Sequence, residues 1–207
     1  MTIEVLGIPL SNFARTVCIQ LEEKGADYKL VQAMPHADEV KAINPLGKIP
    51  VLRHDGLEIA ESMAITRYIE SVVDGPALVP ADAKEAAVVN QWSAIAATAI
   101  DQTFVRQYML GYLFPRKDDN GDIIRTEIDR AVKRFPKTFA MIEGAMGDGY
   151  FGSGQFSLAD CFLIPILAGL ANFPEGKEQL DASSTVTDYV ARMNERESVK
   201  STTPPPR

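Results

Sequence analysis

The sequence predicts an α/β domain followed by an all-helical one, and three observations carry that expectation. Strand-like and helix-like runs alternate from Ile3 to Val73, an Asp55-Gly56 pair joins two short apolar runs, and beyond Gly75-Pro76-Ala77-Leu78-Val79-Pro80 no comparable strand signal returns. A strand-helix-strand order implies a parallel crossover, to which a hairpin adds antiparallel neighbours. The expected order is βαβαββα over residues 1–75, a linker over 76–82, a helical bundle over 83–200 and a disordered tail over 201–207.

Taken in order, Ile3-Glu4-Val5-Leu6 reads as a first strand, closed by Gly7-Ile8-Pro9. Asn12 to Lys24 places Ala14, Val17, Cys18 and Leu21 on one face before a Gly25 stop, which predicts a helix packed on a sheet. Tyr28 to Gln32 is a second strand, followed by a polar connection with one short helix. In Asn44-Pro45-Leu46-Gly47-Lys48-Ile49-Pro50, two prolines bracket a Gly-Lys turn. Pro50 cannot donate to a ladder and therefore belongs at the start of the strand Val51-Leu52. Base frequencies alone favour a trans Ile49-Pro50 bond, since only about 5 to 6% of X-Pro bonds are cis. Asp55-Gly56 suits a two-residue turn that needs positive φ, which makes Leu57-Glu58-Ile59 the antiparallel partner. Ser62 is placed to cap a helix from Met63 to Val72, and the free N–H groups of such a helix start suit a carboxylate.

In the second half, Asp82 is expected to cap a long helix to about Gly111, with Val88, Trp92, Ile95, Ala99 and Val105 on its buried side. A helix from Ile123 to Met146 is expected to kink or break near Pro136. Ser157 opens a helix that is apolar almost all round, the pattern of a central buried element. Its Ser157-Leu158-Ala159-Asp160 start is a variant capping box, a folding device and not a catalytic pair. Thr185 to Glu195 is the last expected helix.

Composition narrows the function classes. The 207 residues carry a net charge of −7, which disfavours nucleic acid or an anionic membrane as partner. No apolar run approaches a membrane span, and the expected location is the cytoplasm. Cys18 and Cys161 lie far apart, which fits a reducing compartment, and the two histidines, His36 and His54, are too isolated for a metal site.

These motifs, in this order, resemble the cytosolic glutathione transferases over nearly the whole chain. The resemblance implies a thioredoxin-like first domain, glutathione as co-substrate, a homodimer and a small electrophile as second substrate. Asn44 to Pro50 is similar to the family's N-P-x-G-x-(I/V)-P segment, which implies a cis Ile49-Pro50 bond, backbone pairing of Ile49 with the cysteinyl part of glutathione, and a carboxylate contact for Lys48. Glu61 and Ser62 resemble the pair that holds the γ-glutamyl group. The loop Gly7 to Arg15 is similar to that of serine-type members, including the phi and theta classes, which puts Ser11 in the place of the activating hydroxyl. Arg15 is a candidate for added positive potential, and Asp101 for reaching a partner subunit's glutathione. A second-substrate pocket is expected over the sulfur, between Leu10 and the long helix carrying Phe104, Tyr108, Tyr112 and Phe114, although an aromatic stripe at such partly helical spacing is more often core than pocket.

The chemistry sets a magnitude. A cysteine-type thiol has an unperturbed pKa of about 8.5, and lowering it by about two units needs roughly 2.7 kcal/mol. One hydrogen bond to a charged acceptor supplies about 1.5 to 3 kcal/mol, so a Ser11 hydroxyl at a helix N-terminus suffices without ionising. The expected activity is conjugation of the glutathione thiolate to apolar electrophiles. Isomerase, peroxidase or ether-cleaving chemistry on the same thiolate, and a non-catalytic binding module, are the alternatives.

Overall fold

The computed structural model describes residues 2–205. They form two compact units, one running to Val89 and resuming at Met193, the other spanning Asn90–Arg192.

The first unit contains β1 (Ile3–Gly7), α1 (Asn12–Glu23), β2 (Tyr28–Gln32), α2 (Asp38–Lys41), β3 (Val51–His54), β4 (Leu57–Ala60) and α3 (Ser62–Val72). The sheet order is β2-β1-β3-β4. β1 and β2 are parallel, and the pairs β1/β3 and β3/β4 are antiparallel. Because side chains alternate along a strand, the two faces separate cleanly. Ile3, Val5 and Leu52 pack with Val17, Cys18 and Leu21 of α1 and Ile65 and Ile69 of α3. Leu6 and Val51 point the other way, against Ala33 and Val40.

The linker expected over 76–82 is tied to this unit. One Glu70 carboxylate oxygen accepts from the Leu78 N–H at 2.8 Å and the Val79 N–H at 3.3 Å. Lys24 Nζ donates to the Val73 and Pro76 carbonyls, both at 3.3 Å, and pairs with Glu70 at 3.4 Å. Gly75, at φ +125, lies so close that a Cβ would meet the Lys24 carbonyl oxygen at 2.5 Å. The tail expected over 201–207 also differs from expectation in its described part, residues 206 and 207 lying outside the described residues. Ser201 closes a short helix, α11 (Glu197–Ser201, numbered after the helices below), and Thr203 is hydrogen-bonded to Arg15. A tail without apolar bulk is held here by polar anchors, which the composition did not disclose.

The long helix begins as α4 (Ala83–Ile95), continues as a π-helical stretch (Ala96–Met109) and ends as α5 (Leu110–Leu113). Its buried line is Val89, Ser93, Ala96, Ile100, Phe104 and Tyr108, whereas Val88 is 44% exposed. Within the π-helical stretch the i→i+5 winding displaces the face that an i→i+4 helix would bury, which is why Ala99 was misplaced, whereas in α4 the buried line simply runs through Val89 and not Val88. Thereafter come α6 (Thr126–Val132), α7 (Phe135–Gly144), the small hairpin β5 (Met146–Gly147) and β6 (Tyr150–Phe151), α8 (Leu158–Leu170), α9 (Pro174–Asp181) and α10 (Ser184–Asn194). Pro136 sits in the first turn of α7, where its missing N–H is harmless, so the expected break falls one turn earlier. The hairpin, α9 and α11 had no strong periodic signal.

The unit Asn90–Arg192 is built around α8, buried from Leu158 through Leu167. Asp160 at its start is fully buried and accepts from the Ser157 N–H at 2.8 Å, the Phe151 N–H at 2.9 Å and the Tyr189 hydroxyl at 3.0 Å. The capping box is therefore present, with Ser157 Oγ also donating to Asp160 at 3.2 Å.

Candidate functional site

Strand register brings three separated loops to one end of the sheet. Leu6 of β1 pairs with Val51 of β3, and Val51 pairs with Ala60 of β4. The exit of β1 (Ile8 to Ser11), the entry to β3 (Ile49-Pro50) and the exit of β4 (Glu61-Ser62) must therefore be neighbours. A Cβ built on Gly7 would lie 3.9 Å from that of Ile49.

Ser11 is the N-cap of α1, in extended conformation at φ −77 and ψ 117. Its Oγ accepts from the Ala14 N–H at 3.3 Å. A hydroxyl used as an acceptor in this way keeps its own proton for another partner. No acidic side chain occupies the first turn of α1, so no nearby carboxylate on the helix offsets the positive end of its dipole. Leu10, beside it, is 50% exposed.

The Ile49-Pro50 bond is cis. Asn44 shapes the loop ahead of it, its Nδ2 donating to the Lys48 carbonyl at 2.9 Å and its Oδ1 accepting from the Leu46 N–H at 3.1 Å. The Gly47 carbonyl accepts from the His36 N–H at 2.8 Å. At φ +65, Gly47 also faces the His36 ring, where a Cβ would stand 2.3 Å from Nδ1. Lys48 is exposed and Ile49 half-buried. Asn44 and His36 are the positions that the sequence understated. Asn44 was quoted only as part of a motif, and His36 was considered only as a metal ligand.

At the third loop the structure corrects the expected cap. Ser62 is the first residue of α3 and Glu61 is its N-cap, with no side-chain cap hydrogen bond. Glu61 has φ 71 and ψ 115, a region rarely adopted by a residue with a side chain. Its carbonyl accepts from the Ile65 N–H at 2.8 Å, and the buried Ser62 carbonyl accepts from the Thr66 hydroxyl at 2.8 Å. The first turn of α3 thus has N–H groups that no cap side chain takes, beside an exposed Glu61 carboxylate.

Other expected site residues lie elsewhere. Arg15 is only 5% exposed and reaches the C-terminal segment, donating to the Val199 carbonyl at 3.1 Å and Thr203 Oγ1 at 3.3 Å. Cys18 is buried, and burial pushes its thiol up to about 11, which suits packing and not nucleophilic use. Tyr108, expected to line a pocket, is fully buried, with its hydroxyl donating to Glu175 at 2.8 Å and accepting from the Gly176 N–H at 2.9 Å. Tyr112 is half-buried, stacks on Phe173 at 5.4 Å and donates to the same Glu175 at 2.8 Å. Arg125 closes the network onto Glu175 and donates to the Tyr112 hydroxyl at 2.7 Å. Phe104 packs edge-on to Phe135 at 5.0 Å, and Phe114 is 77% exposed. Asp101 is paired with Arg106 Nε at 2.9 Å. These aromatic positions at helical spacing are mostly core, because the π-helical winding turns Phe104 and Tyr108 inward.

Comparison with known proteins bears on the whole chain. A model of the glutathione S-transferase N-terminal domain matches residues 5–77, and one of the C-terminal domain matches residues 125–192. Glutathione S-transferase F14 of Arabidopsis thaliana is 28% identical over 205 residues, covering 92% of this chain and 78% of its own. The GST-like protein YibF of Escherichia coli is 30% identical over 173 residues, covering 82% of each. Maleylacetoacetate isomerase of Rattus norvegicus is 31% identical over 103 residues, 44% of this chain and 48% of its own. Among solved structures, poplar glutathione transferase F1 superposes with a TM-score of 0.86 at 21% identity, covering 98% of this chain and 96% of its own, a likeness of fold. A glutathione S-transferase from Methylobacillus flagellatus with glutathione bound gives a TM-score of 0.83 at 25% identity, covering 99% and 100%.

Proposed function

The chain belongs to the glutathione transferase family, and from that premise we propose that Ser11 stabilises the thiolate of bound glutathione for attack on a small apolar electrophile. The observation that carries the proposal is the Ser11 hydroxyl, which accepts from the Ala14 N–H and retains its own proton at the positive end of α1. Donated to sulfur, that proton supplies about 1.5 to 3 kcal/mol, enough to bring most of the thiol into its reactive form near neutral pH.

Binding falls to the two neighbouring loops. Ile49 offers its backbone ahead of the cis Pro50 to the cysteinyl part, and Lys48 offers a cation to a carboxylate. Glu61 takes the γ-glutamyl ammonium, while Ser62 and the uncapped first turn of α3 take the adjoining carboxylate. A zwitterionic end group needs such a pairing of acid and N–H donors. Leu10, half exposed beside Ser11, is kept as a contact for the electrophile, whereas Tyr108 supports Glu175 within the core of its own unit. The assembly is a homodimer in the cytoplasm, to which the 60% exposed Leu46 contributes a surface.

The test is Ser11→Ala with glutathione and 1-chloro-2,4-dinitrobenzene. The expected loss is about 10- to 100-fold in kcat with glutathione affinity mostly kept. An unchanged rate removes Ser11 from the mechanism. The partial likeness to maleylacetoacetate isomerase favours one second reading, isomerisation through the same thiolate, which a panel of maleyl substrates separates from conjugation.

A further inference from the structure

We propose that the C-terminal segment is a strap that holds the turn carrying Ser11, with Arg15 as the positioning residue through which it acts. The inference rests on the role given to Ser11 above. Arg15 joins both parties. Its backbone N–H donates to the Ser11 carbonyl at 2.9 Å, and its guanidinium donates to Val199 O at 3.1 Å and Thr203 Oγ1 at 3.3 Å. Thr203 Oγ1 in turn donates to Val199 O at 2.8 Å. The far end of α1 has its own anchor, where Glu23 receives Arg196 through two bonds of 2.9 and 2.7 Å and also the Ser198 hydroxyl. The same eight residues, 196 to 203, therefore grip α1 at both ends.

Two features mark the Arg15 end as more than packing. First, the guanidinium is buried against neutral oxygens, and burial lowers its pKa from the usual arginine value. Among the described residues its hydrogen bonds run only to a carbonyl and a hydroxyl, although Glu22 lines the same cleft, and a buried cation held this way is an expensive means of fastening a tail, for which an apolar contact of similar size would be cheaper. Second, the strap does not lie flush on the sheet. A cleft of about 360 Å³ remains, lined among others by Tyr28, Leu30, Thr203 and Pro205. The grip near Ser11 thus depends on a few directed bonds, and these fix the first turn of α1, the part whose placement sets the distance from the Ser11 hydroxyl to sulfur.

The experiment compares the full chain with Arg15→Met, Arg15→Lys, Thr203→Val, Glu23→Gln and a chain lacking residues 203–207. The bound glutathione thiolate is titrated by its absorbance near 239 nm, alongside kcat, KM and thermal unfolding. Arg15→Met and the shortened chain are expected to raise the apparent thiol pKa by about one unit and lower kcat about tenfold, with KM for glutathione nearly unchanged. Arg15→Lys recovers part of the loss. Glu23→Gln, about two turns along α1 from Arg15, lowers thermal stability and leaves the thiol pKa in place. A thiol pKa and kcat unmoved in folded Arg15→Met overturn the proposal, as does an equal pKa shift in Glu23→Gln.

Hydrogen exchange at the Ala14 and Arg15 amides provides the arm that does not depend on catalysis. Exchange there is expected to accelerate in the shortened chain and in Thr203→Val, and unchanged exchange in both overturns the strap. If the full chain forms no thiolate on binding glutathione, the role of Ser11 fails, and the exchange result still decides whether the strap exists.

Discussion

Glu61 shows at the scale of one residue how a site is distinguished from a helix start. A φ of 71 on a residue with a side chain carries about 1 to 3 kcal/mol of strain. Glycine relieves that strain but loses up to about 1 kcal/mol through its freer unfolded state. Glu61→Gly is therefore expected to stabilise the fold by about 1 kcal/mol in urea unfolding, whereas Glu61→Ala leaves it nearly level. Both variants are expected to weaken glutathione binding about tenfold in calorimetry, because a charged partner to the ligand ammonium is gone. A fold that gains stability as it loses affinity is the signature of a residue kept for its ligand. Under the proposed function the hydroxyl at position 11 is a simpler case, since the atom that caps α1 is the one proposed to meet the thiolate.

Among elements, α3 and its exit carry the sharpest prediction. Glu70 accepts from two linker N–H groups and faces Lys24, whose side chain is 2% exposed. Glu70→Ala leaves that buried ammonium without its carboxylate and the Leu78 and Val79 donors unmet. A loss of about 3 kcal/mol in urea unfolding is expected, with faster amide exchange over residues 76–80. Asp160→Ala is expected to be of similar size, about 3 kcal/mol, since the N–H groups of Phe151 and Ser157 and the Tyr189 hydroxyl all lose their acceptor.

Much of the first unit was legible at this scale. Asp55-Gly56 specified its hairpin through positive φ at both residues, and the Asn44 to Pro50 motif placed the entry to β3 within one residue, the strand opening at Val51 and not at Pro50. Ser11 and the Glu61-Ser62 pair were legible as types and order, but only strand register shows that their loops leave the same end of the sheet. The π-helical stretch, which packs against both α6 and α8, was not legible because no residue type announces its winding. Pro165 inside α8 is the reverse case, a local breaker overruled by complete burial of the helix around it. The grip of Arg15 on the C-terminal segment was hidden because its partners stand more than 180 positions away and offer only a carbonyl and a hydroxyl.

For the molecule as a whole, acid is the informative variable. Burial pushes the Glu175 carboxyl up, but hydrogen bonds from Tyr112, Tyr108 and Arg125 outweigh it and hold it down at about 2, below its usual 4.5. Between those values the unfolded chain binds more protons than the folded one, so this contribution is whole above about pH 4.5 and fades as pH falls toward 2. Asp160 acts in the opposite sense. Burial raises it to about 6 from 3.8, so its contribution is largest at low pH and declines as pH rises through 6. The difference between the wild-type chain and Glu175→Gln isolates the first effect. The variant is expected to lose the acid-side slope, read from Trp92, the one tryptophan, which packs against Phe151 at 5.2 Å within the same unit.

The return of the chain end to α1 has a consequence for biosynthesis. Helix α1 is translated well before its anchors, since Arg15 waits for Val199 and Thr203, 184 and 188 positions later, to leave the ribosome. Loss of the segment from Val199 to Thr203 thus injures a helix almost two hundred residues upstream while sparing the elements between them.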